Sequence, residues 1–539
     1  MNRRQFLSYS ATLAAAASVS YLGHRYLNRR PGVSVNLAGL PRGHAVRDGF
    51  SGGEPQRKAH CETLILGSGA AGLGALWYLV KNGSKNIVLA EGFERNGNNA
   101  AYRFQEMAAP TGAHYLALPS EESVYVRELL RDLGILLSDG VYNETDLVHA
   151  PESRLLFQGK WQESLLPRED ADSRRFFALT GRLKTLRGAD GKKVFAIPIA
   201  ESSHDNEWRR LDTMTFAQWL DAENYRSETL RWYLDYCCRD DYGQGIAQVS
   251  AFAGLHYFAA RGDNGETVLT WPQGLARLSD GMRQLAGLES LAAMPSETAW
   301  MFGRPVALDA AAVKIREVSD GFEVWLRDNG SGQAVAVTAE NVICAMPLAV
   351  AARVVDNPAQ YGFGRLPESA PWLVSNFVMH PLPPETADPA WDSVVYRGKG
   401  LGYVDAAHQL IRVGVPQKAL FTAYAALDHD TPQNVRRMLL AAKPEQLLDI
   451  AAQDLLEVYG KRFWQYVEHV DITVRGHGMA VPKAGYLSDK VLEKLRNRLD
   501  GLLFAHSDLS GYSVFEEALY WGVEAARKVL AEQGEVKTV

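Results

Sequence analysis

A glycine-rich turn and an acidic residue beyond it are the first residues of this chain whose types and spacing suit a chemical role. The turn reads Gly67-Ser68-Gly69-Ala70-Ala71-Gly72. Gly67 permits a tight bend, Gly69 lets the backbone approach a pyrophosphate, and Gly72 allows a helix to pack closely on a strand. Glu91 lies about 20 residues further on, where a carboxylate can accept hydrogen bonds from ribose hydroxyls. The pattern predicts a dinucleotide site, although glycine turns also occur in other α/β proteins.

Apolar runs on both sides of the turn supply the elements that such a site needs. Residues 63–66 lead into the turn, a helix-spaced stretch follows it, and residues 87–90 end at Glu91. This order of strand, turn, helix and strand predicts an α/β fold with a Rossmann-like domain. The turn alone leaves open whether the dinucleotide is FAD or NAD.

The composition is that of an ordinary globular protein. Of the 539 residues, 47% are hydrophobic and 22% are charged, and this length predicts two domains or more. The net charge of −6 gives no basic surface for nucleic acid, and the four cysteines have neither disulfide nor metal-binding spacing. We therefore expect no nucleic-acid partner and no metal site.

The N-terminus has the pattern of an export signal. Arg3 and Arg4 precede Phe6 and Leu7, and an uncharged stretch continues to residue 23. This resembles a twin-arginine signal, so residues 1–30 are interpreted as a segment read by the twin-arginine export machinery, with a periplasmic location. A simple membrane anchor and a random basic N-terminus are the alternatives. If uncleaved, the segment would tether the protein to the inner membrane.

Further motifs lie far from the turn along the chain. Gly112-Ala113-His114 follows the first unit, a turn with Gly274 opens another, and a strand pattern includes Val313. An apolar strand at 341–347 ends on a proline, and a last motif lies at 504–512. Long mixed segments separate these motifs, so the dinucleotide domain is predicted to be discontinuous.

Together these motifs resemble those of the flavin-containing amine oxidoreductase family, which includes monoamine and polyamine oxidases. The resemblance covers most of residues 61–530 and implies FAD rather than NAD. It implies cofactor contacts from the following residues: Gly67, Gly69, Ala70, Ala71, Gly72 and Glu91 around the first turn, Gly112, Ala113 and His114 beside the flavin, Gly274, Val313 at the adenine, and Asp508 at the ribityl chain.

The order of the motifs along the chain predicts interleaved domains. The chain is expected to form a linker at 31–59, and a Rossmann-like FAD-binding domain at 60–118, 266–358 and 486–535. An α+β substrate domain is expected at 119–265 and 359–485.

The chain departs from the family pattern at three places in the expected site, one of which is His506, where the family has a glycine in the terminal motif. The second glycine turn of the family usually ends in an arginine, but here it reads Asn98-Asn99-Ala100. Residues 373–379, where many members carry a lysine at flavin N5, contain Asn376 instead. Covalently flavinylated members use a cysteine late in the chain, and none follows Cys344 here. We therefore expect FAD to be bound non-covalently.

The candidate catalytic residues are His477, Asn376 and Tyr512. His477 lies between two glycines, in a segment where family members place substrate-facing aromatic residues. Tyr512 matches a terminal aromatic residue that would form one wall of the substrate slot. The structural alternatives are a histidine bonded to a turn backbone and a tyrosine in ordinary core packing.

Three functions fit the sequence. The first is an exported FAD-dependent oxidoreductase that oxidises the C–N bond of a small amine, such as a polyamine, by hydride transfer to flavin N5. The second is an FAD-dependent desaturase of an apolar substrate, and the third is a flavoprotein without turnover. Carboxylates in the cavity would favour the amine, and Glu207, Asp240 and Asp241 are the candidates. These residues do not indicate the electron acceptor.

Overall fold

The computed structural model describes residues 30–48, 54–148, 152–261, 267–364, 366–383, 389–408, 410, 414, 416–532 and 534. The strands, in chain order, are β1 (Gly32–Asn36), β2 (Arg57–Leu66), β3 (Ile87–Ala90), β4 (Ala101–Phe104), β5 (Met107–Pro110), β6 (Tyr115–Ala117), β7 (Leu136–Ser138), β8 (Val141–Tyr142), β9 (Ser153–Phe157), β10 (Lys160–Gln162), β11 (Val268–Thr270), β12 (Glu289–Leu291), β13 (Val306–Leu308), β14 (Ala310–Val318), β15 (Gly321–Asp328), β16 (Ala334–Cys344), β17 (Ser369–Met379), β18 (Asp392–Val395), β19 (Tyr403–Asp405), β20 (Ala419–Ala426), β21 (Val467–Ala480) and β22 (Leu502–Phe504).

The helices are α1 (Leu40–Arg47), α2 (Ala70–Lys81), α3 (Val124–Asp132), α4 (Ala171–Leu183), α5 (Asn206–Arg209), α6 (Phe216–Ala222), α7 (Glu228–Tyr242), α8 (Ala251–Ala259), α9 (Ala276–Leu285), α10 (Leu348–Val354), α11 (Pro432–Ala441), α12 (Pro444–Ala451), α13 (Gln453–Tyr459), α14 (Lys490–Arg496) and α15 (Phe515–Glu532). Within the described part of the chain, no helix has the length and apolar character needed to cross a membrane.

One large sheet has the order β12-β13-β3-β2-β16-β15-β14, and β22 pairs with the C-terminal half of β16. The pairs that join β3, β2, β16 and β22 are parallel, whereas β14, β15 and β16 pair antiparallel. Helices α2, α9 and α15 cover one face of the central strands, and β14, β15 and α10 pack on the other, so these strands are apolar on both faces. This is the Rossmann-like unit that the glycine turn predicts, and its strands come from three separate parts of the chain.

The second large sheet has the order β1-β21-β17-β20-β19-β18-β9-β10 and is mostly antiparallel. Helices α4, α6, α7 and α8 pack over one face with a core rich in aromatic residues. Helices α11, α12 and α13 cover the other face. The mixed α/β class with two interleaved units is therefore confirmed.

The expected linker at 31–59 is wrong for much of its length. Strand β1 pairs in parallel with β21, with Val33 opposite Val470 and Val35 opposite Ile472. Val33 and Val35, together with Leu40 at the start of α1, pack against the core of the second sheet. Their alternation is short and lies among Gly, Pro and Arg residues, which hid a strand whose stability depends on its neighbour.

Candidate functional site

The glycine turn lies at the carboxyl edge of the parallel sheet. Four neighbouring strands end in register, at Leu66, Ala90, Cys344 and Phe504. The residues that follow these strand ends therefore meet at one edge of the sheet. Ligands of open parallel sheets bind at this edge. The structure therefore brings the first glycine turn, Glu91 and the Asp508 segment together from distant parts of the chain.

The three glycines of the turn have different physical reasons to be glycine. Gly67 has a φ of 108°, which favours a residue without a Cβ. A Cβ on Gly72 would lie 1.9 Å from the carbonyl oxygen of Gly67, so α2 could not pack where it does. A Cβ on Gly69 would have no described heavy atom within 4 Å. The space beside Gly69, at the N-terminus of α2, therefore fits a pyrophosphate.

Glu91 is held by Arg283 of α9 in a buried bidentate ion pair. The Nη1–Oε1 distance is 2.7 Å and the Nη2–Oε2 distance is 2.6 Å. Arg283 also donates from Nε to Asn96 Oδ1 at 2.8 Å, which holds the guanidinium in its plane. Each carboxylate oxygen retains acceptor capacity for a ribose hydroxyl. Arg283 is not predicted from the sequence, because nothing near Glu91 in the chain points to it.

Asp508 lies at the same edge, beyond β22. Its Oδ2 accepts the N–H of Leu348, at the start of α10, at 2.9 Å. Burial alone would raise the pKa of Asp508, but the neighbouring His506 and the Leu348 N–H outweigh burial and hold it below its usual value. An ionised carboxylate beside the strand ends fits the expected contact with ribityl hydroxyls.

Gly274 packs closely against the backbone of the segment Gly112-Ala113-His114. Its φ is 60°, and a Cβ there would lie 2.6 Å from the Ala113 oxygen. Val313 lies on β14 at an irregularity between Ala312 and Lys314, and it is buried. The cofactor roles of these residues stay predictions, but Gly112, Ala113 and His114 line the adjoining cavity.

The cavity lies between the 112–117 segment and the second sheet. Its walls also include Trp372, Val374, Tyr424 and Met479, and the stretch 513–516 closes one side. His114 stacks on Tyr424 with ring centroids 4.3 Å apart. Burial lowers the pKa of His114 to about 3, so its imidazole is neutral near pH 7. The arrangement is a largely apolar aromatic slot beside the predicted flavin segment.

The cavity wall also carries acidic residues from α7 and α15. Asp240, Asp241 and Glu516 line it, together with Arg261. Arg261 donates to both oxygens of Asp241, at 2.7 and 2.8 Å. Asp240 accepts only a weak contact from Tyr115 Oη at 3.4 Å among the described residues. The third candidate carboxylate, Glu207, is exposed and lies outside the cavity lining.

The three candidate catalytic residues do not line this cavity. Asn376 is fully buried in β17, where it donates from Nδ2 to the Pro110 oxygen at 3.0 Å and accepts from Thr422 Oγ1 at 2.7 Å. Tyr512 packs in the helical core, 5.1 Å from the His256 ring. Its expected place as a wall of the slot does not match this position.

His477 lies on the far side of β21, against α1. Its ring centroid is 6.4 Å from that of His44, and part of the residue is exposed. Burial of the rest, followed by the charge of Arg436, lowers the pKa of His477 to about 4. The catalytic roles of His477, Asn376 and Tyr512 stay predictions. The residues that line the cavity instead include Asp240, Tyr424 and Trp372.

Comparison with known proteins defines the class of this molecule. The sequence profile of the flavin-containing amine oxidoreductase family matches residues 71–530. The chain belongs to this family, and it is an FAD-dependent oxidoreductase with the family fold. No curated protein matches the sequence.

Solved structures share the architecture at low identity. Wild-type putrescine oxidase bound to putrescine is 15% identical, with a TM-score of 0.61, and the match covers 88% of this chain and 100% of that one. Cyclohexylamine oxidase from Brevibacterium oxydans IH-35A is 15% identical, with a TM-score of 0.57 and coverage of 88% and 100%. A CLA-producing fatty acid isomerase from P. acnes is 14% identical, with a TM-score of 0.56 and coverage of 86% and 97%. Because these neighbours include proteins of unlike activity, the likeness is one of fold.

Proposed function

We propose that the protein oxidises the C–N bond of a small cationic amine, with a polyamine or diamine as the substrate class. FAD, bound non-covalently, supplies the acceptor for the hydride from the carbon next to nitrogen, and water hydrolyses the resulting imine. The observation that carries this proposal is the presence, in the wall of a largely apolar cavity, of two carboxylates, Asp240 and Glu516, that form no ion pair among the described residues.

Asp240 is the central carboxylate of the acidic wall. Burial, followed by repulsion from Asp241, raises its pKa to about 7. Burial also raises the pKa of Glu516 to about 6. Among the described residues, no lysine or arginine forms an ion pair with either side chain. A bound ammonium group would stabilise both ionised forms, whereas an apolar substrate would leave them desolvated without a paired cation. The acidic wall therefore favours an amine over the substrate of a desaturase.

The aromatic slot suits the other end of such a substrate. The reacting nitrogen must be uncharged, and a dry site lined by Tyr424, His114 and Trp372 disfavours charge. The Tyr424 hydroxyl is buried and has no hydrogen-bond partner among the described residues. It is free to bond a polar group of the substrate. A molecule with two nitrogens would place one charged nitrogen at Asp240 and one neutral nitrogen in the slot.

The proposal is tested by mixing the purified FAD-loaded protein anaerobically with a panel of diamines, polyamines and monoamines. Bleaching of the oxidised-flavin absorption band by one or more amines is the expected result. An unbleached flavin across the amine panel would overturn the proposal, and bleaching by an unsaturated fatty acid alone would support the apolar-substrate alternative. The Asp240→Asn variant should raise the KM for a diamine much more than that for a monoamine.

We also propose that the protein is exported by the twin-arginine machinery to the periplasm, where an electron acceptor reoxidises its flavin. The support is the pattern at Arg3 and Arg4, which lies outside the described residues. Cell fractionation of the wild type and of an Arg3→Lys, Arg4→Lys double variant tests export. We expect the wild-type protein, but not the double variant, in the periplasmic or inner-membrane fraction. Equal retention of the two proteins in the cytoplasm would contradict the proposed export.

A further inference from the structure

Arg475 leaves the second sheet and enters the FAD-binding unit at its second glycine turn. Its side chain is only 5% exposed. The Nε atom donates to the Thr111 oxygen at 2.5 Å, and Nη1 donates to Glu94 Oε2 at 2.9 Å and to Asn98 Oδ1 at 3.0 Å. The Nη2 atom donates to Glu94 Oε1 at 3.1 Å and to Thr111 Oγ1 at 3.0 Å. All five N–H groups of the guanidinium therefore have acceptors on two neighbouring segments of the other domain.

Gly112 provides an independent sign that this contact shapes the flavin segment. A Cβ on Gly112 would lie 2.2 Å from the Asn98 oxygen and 2.9 Å from Arg475 Nε. The Asn98 oxygen accepts the N–H of Ala113 at 2.9 Å. The backbone at 112–113 can approach so closely only because residue 112 has no side chain. Arg475, Asn98 and Gly112 thus form one tightly fitted unit.

The same unit joins the two domains beside the cavity. Asn98 donates from Nδ2 to the Gly478 oxygen on β21 at 2.6 Å, so two adjacent contacts cross the boundary. Arg475 pairs in register with Trp372, whose side chain also lines the cavity. A shift of Arg475 would therefore change the distance between the second sheet and the 112–114 segment.

We propose that Arg475 is a positioning residue for FAD, which fixes the turn at 97–99 and the segment at 111–114 against β21. The turn itself reads Asn98-Asn99-Ala100 and contains no cation, so the guanidinium comes from a strand of the substrate domain. All five of its N–H groups already have acceptors within the protein. Arg475 is therefore proposed to position the segments around FAD and not to bind a phosphate group directly. FAD affinity thus depends on a residue that belongs to the other domain.

The test compares Arg475→Lys and Arg475→Met with the wild type. Lysine keeps the charge but cannot make the planar set of contacts. FAD is titrated into apoprotein, and its dissociation constant is measured by flavin fluorescence in the absence of any amine. Loss of hydrogen bonds made by a charged group predicts an increase of about tenfold to a hundredfold in both variants. The visible circular dichroism of bound flavin should change as well, because the surroundings of the ring move.

Arg154→Lys is the matched control. Arg154 is also a buried arginine of the second sheet, on β9, where Nε donates to Ser393 Oγ at 3.0 Å, but it does not line the cavity. This variant should lower the Tm of apoprotein and holoprotein by the same amount and leave the FAD dissociation constant unchanged. The Arg475 variants should instead narrow the gap between the two Tm values, since that gap reports FAD affinity.

An unchanged dissociation constant and flavin spectrum in Arg475→Lys would overturn the proposal, and so would equal losses of Tm with and without FAD. If Arg475→Met does not fold, Thr111→Val provides a milder test, because it removes a single acceptor of Nη2. Its FAD dissociation constant should rise by less than that of Arg475→Lys, and an unchanged constant would count against the proposal. Because no amine is present, failure here leaves the proposed amine oxidation untouched.

Discussion

Glu91 and Arg283 are joined by two charged hydrogen bonds of 2.7 and 2.6 Å, although they lie 192 residues apart in the chain. The side chains are only 8% and 7% exposed. The pair fastens α9 to the end of β3, at the edge where the adenosine end of FAD is expected. The dinucleotide acid is therefore set in orientation by a partner from another segment of the domain.

Arg283→Met should weaken FAD binding and destabilise the apoprotein. It leaves the Glu91 carboxylate buried without its cation, a change that costs about 3–5 kcal/mol in buried ion pairs. Thermal unfolding and FAD titration measure the two effects. Addition of Glu91→Gln to Arg283→Met should restore part of the apoprotein stability, and a double variant less stable than Arg283→Met would contradict this account.

Gly69→Ala should separate folding from cofactor binding. A Cβ at this position has open space around it, so the apoprotein should unfold within a few degrees of the wild type. The methyl group would occupy the space expected for the pyrophosphate, so FAD affinity should fall about tenfold. Flavin fluorescence titration and thermal unfolding of apoprotein test both parts. A normal FAD affinity would show that the pyrophosphate lies elsewhere.

Gly72→Ala should disrupt the fold itself. Its Cβ would lie 1.9 Å from the Gly67 oxygen, so α2 or the turn must move. Gly181→Ala on α4 is the control, because its Cβ meets nothing within 4 Å. Alanine there should stabilise the helix by about 0.5–1 kcal/mol. Denaturant unfolding should therefore give opposite signs for the two substitutions, and equal effects would refute the packing explanation.

Cation binding in the cavity should depend on pH around neutrality. Because the pKa of Asp240 is raised to about 7, its carboxyl group is ionised above this pH and neutral below it. A quaternary ammonium competitor keeps its charge at every pH, so it should bind about tenfold more weakly at pH 6 than at pH 8. Inhibition constants measured across this range provide the test. Asp240→Asn should bind weakly at both values, and a wild-type constant independent of pH would exclude Asp240 as the partner.

Val35→Asp should destabilise the second sheet. Val35 lies opposite Ile472 in the β1–β21 pair and packs against the sheet core. A carboxylate there loses apolar contacts and is partly desolvated, which predicts a loss of about 1–3 kcal/mol in the free energy of unfolding. Ser34→Ala is a milder comparison on the same strand. An unchanged Tm for Val35→Asp would mean that β1 contributes nothing to the folded domain.

The parts of the site that were predicted from sequence are those whose reasons are local. Gly67, Gly72 and Glu91 follow from bends and packing within one strand-helix-strand unit, and the structure places the turn between β2 and α2 and Glu91 directly after β3. Arg283 and Arg475 reach the site from distant segments, so no spacing rule could place them. Strand β1 was not predicted for the same reason. It is stabilised by pairing with the distant strand β21 rather than by its own composition. Asn376 and Tyr512 were chosen by position in a motif, whereas their contacts depend on which side of a strand or turn faces the core.

The place of β16 between β2 and β22 has a consequence for the timing of biosynthesis. The glycine turn is translated early, yet β2 acquires its neighbour β16 only after residue 344, and β22 joins that strand only after residue 504. Parallel pairs between such distant segments cannot form on the ribosome until the later segment has emerged. The nascent chain must therefore protect an incomplete apolar sheet for most of its synthesis, and it can capture its cofactor only at the end.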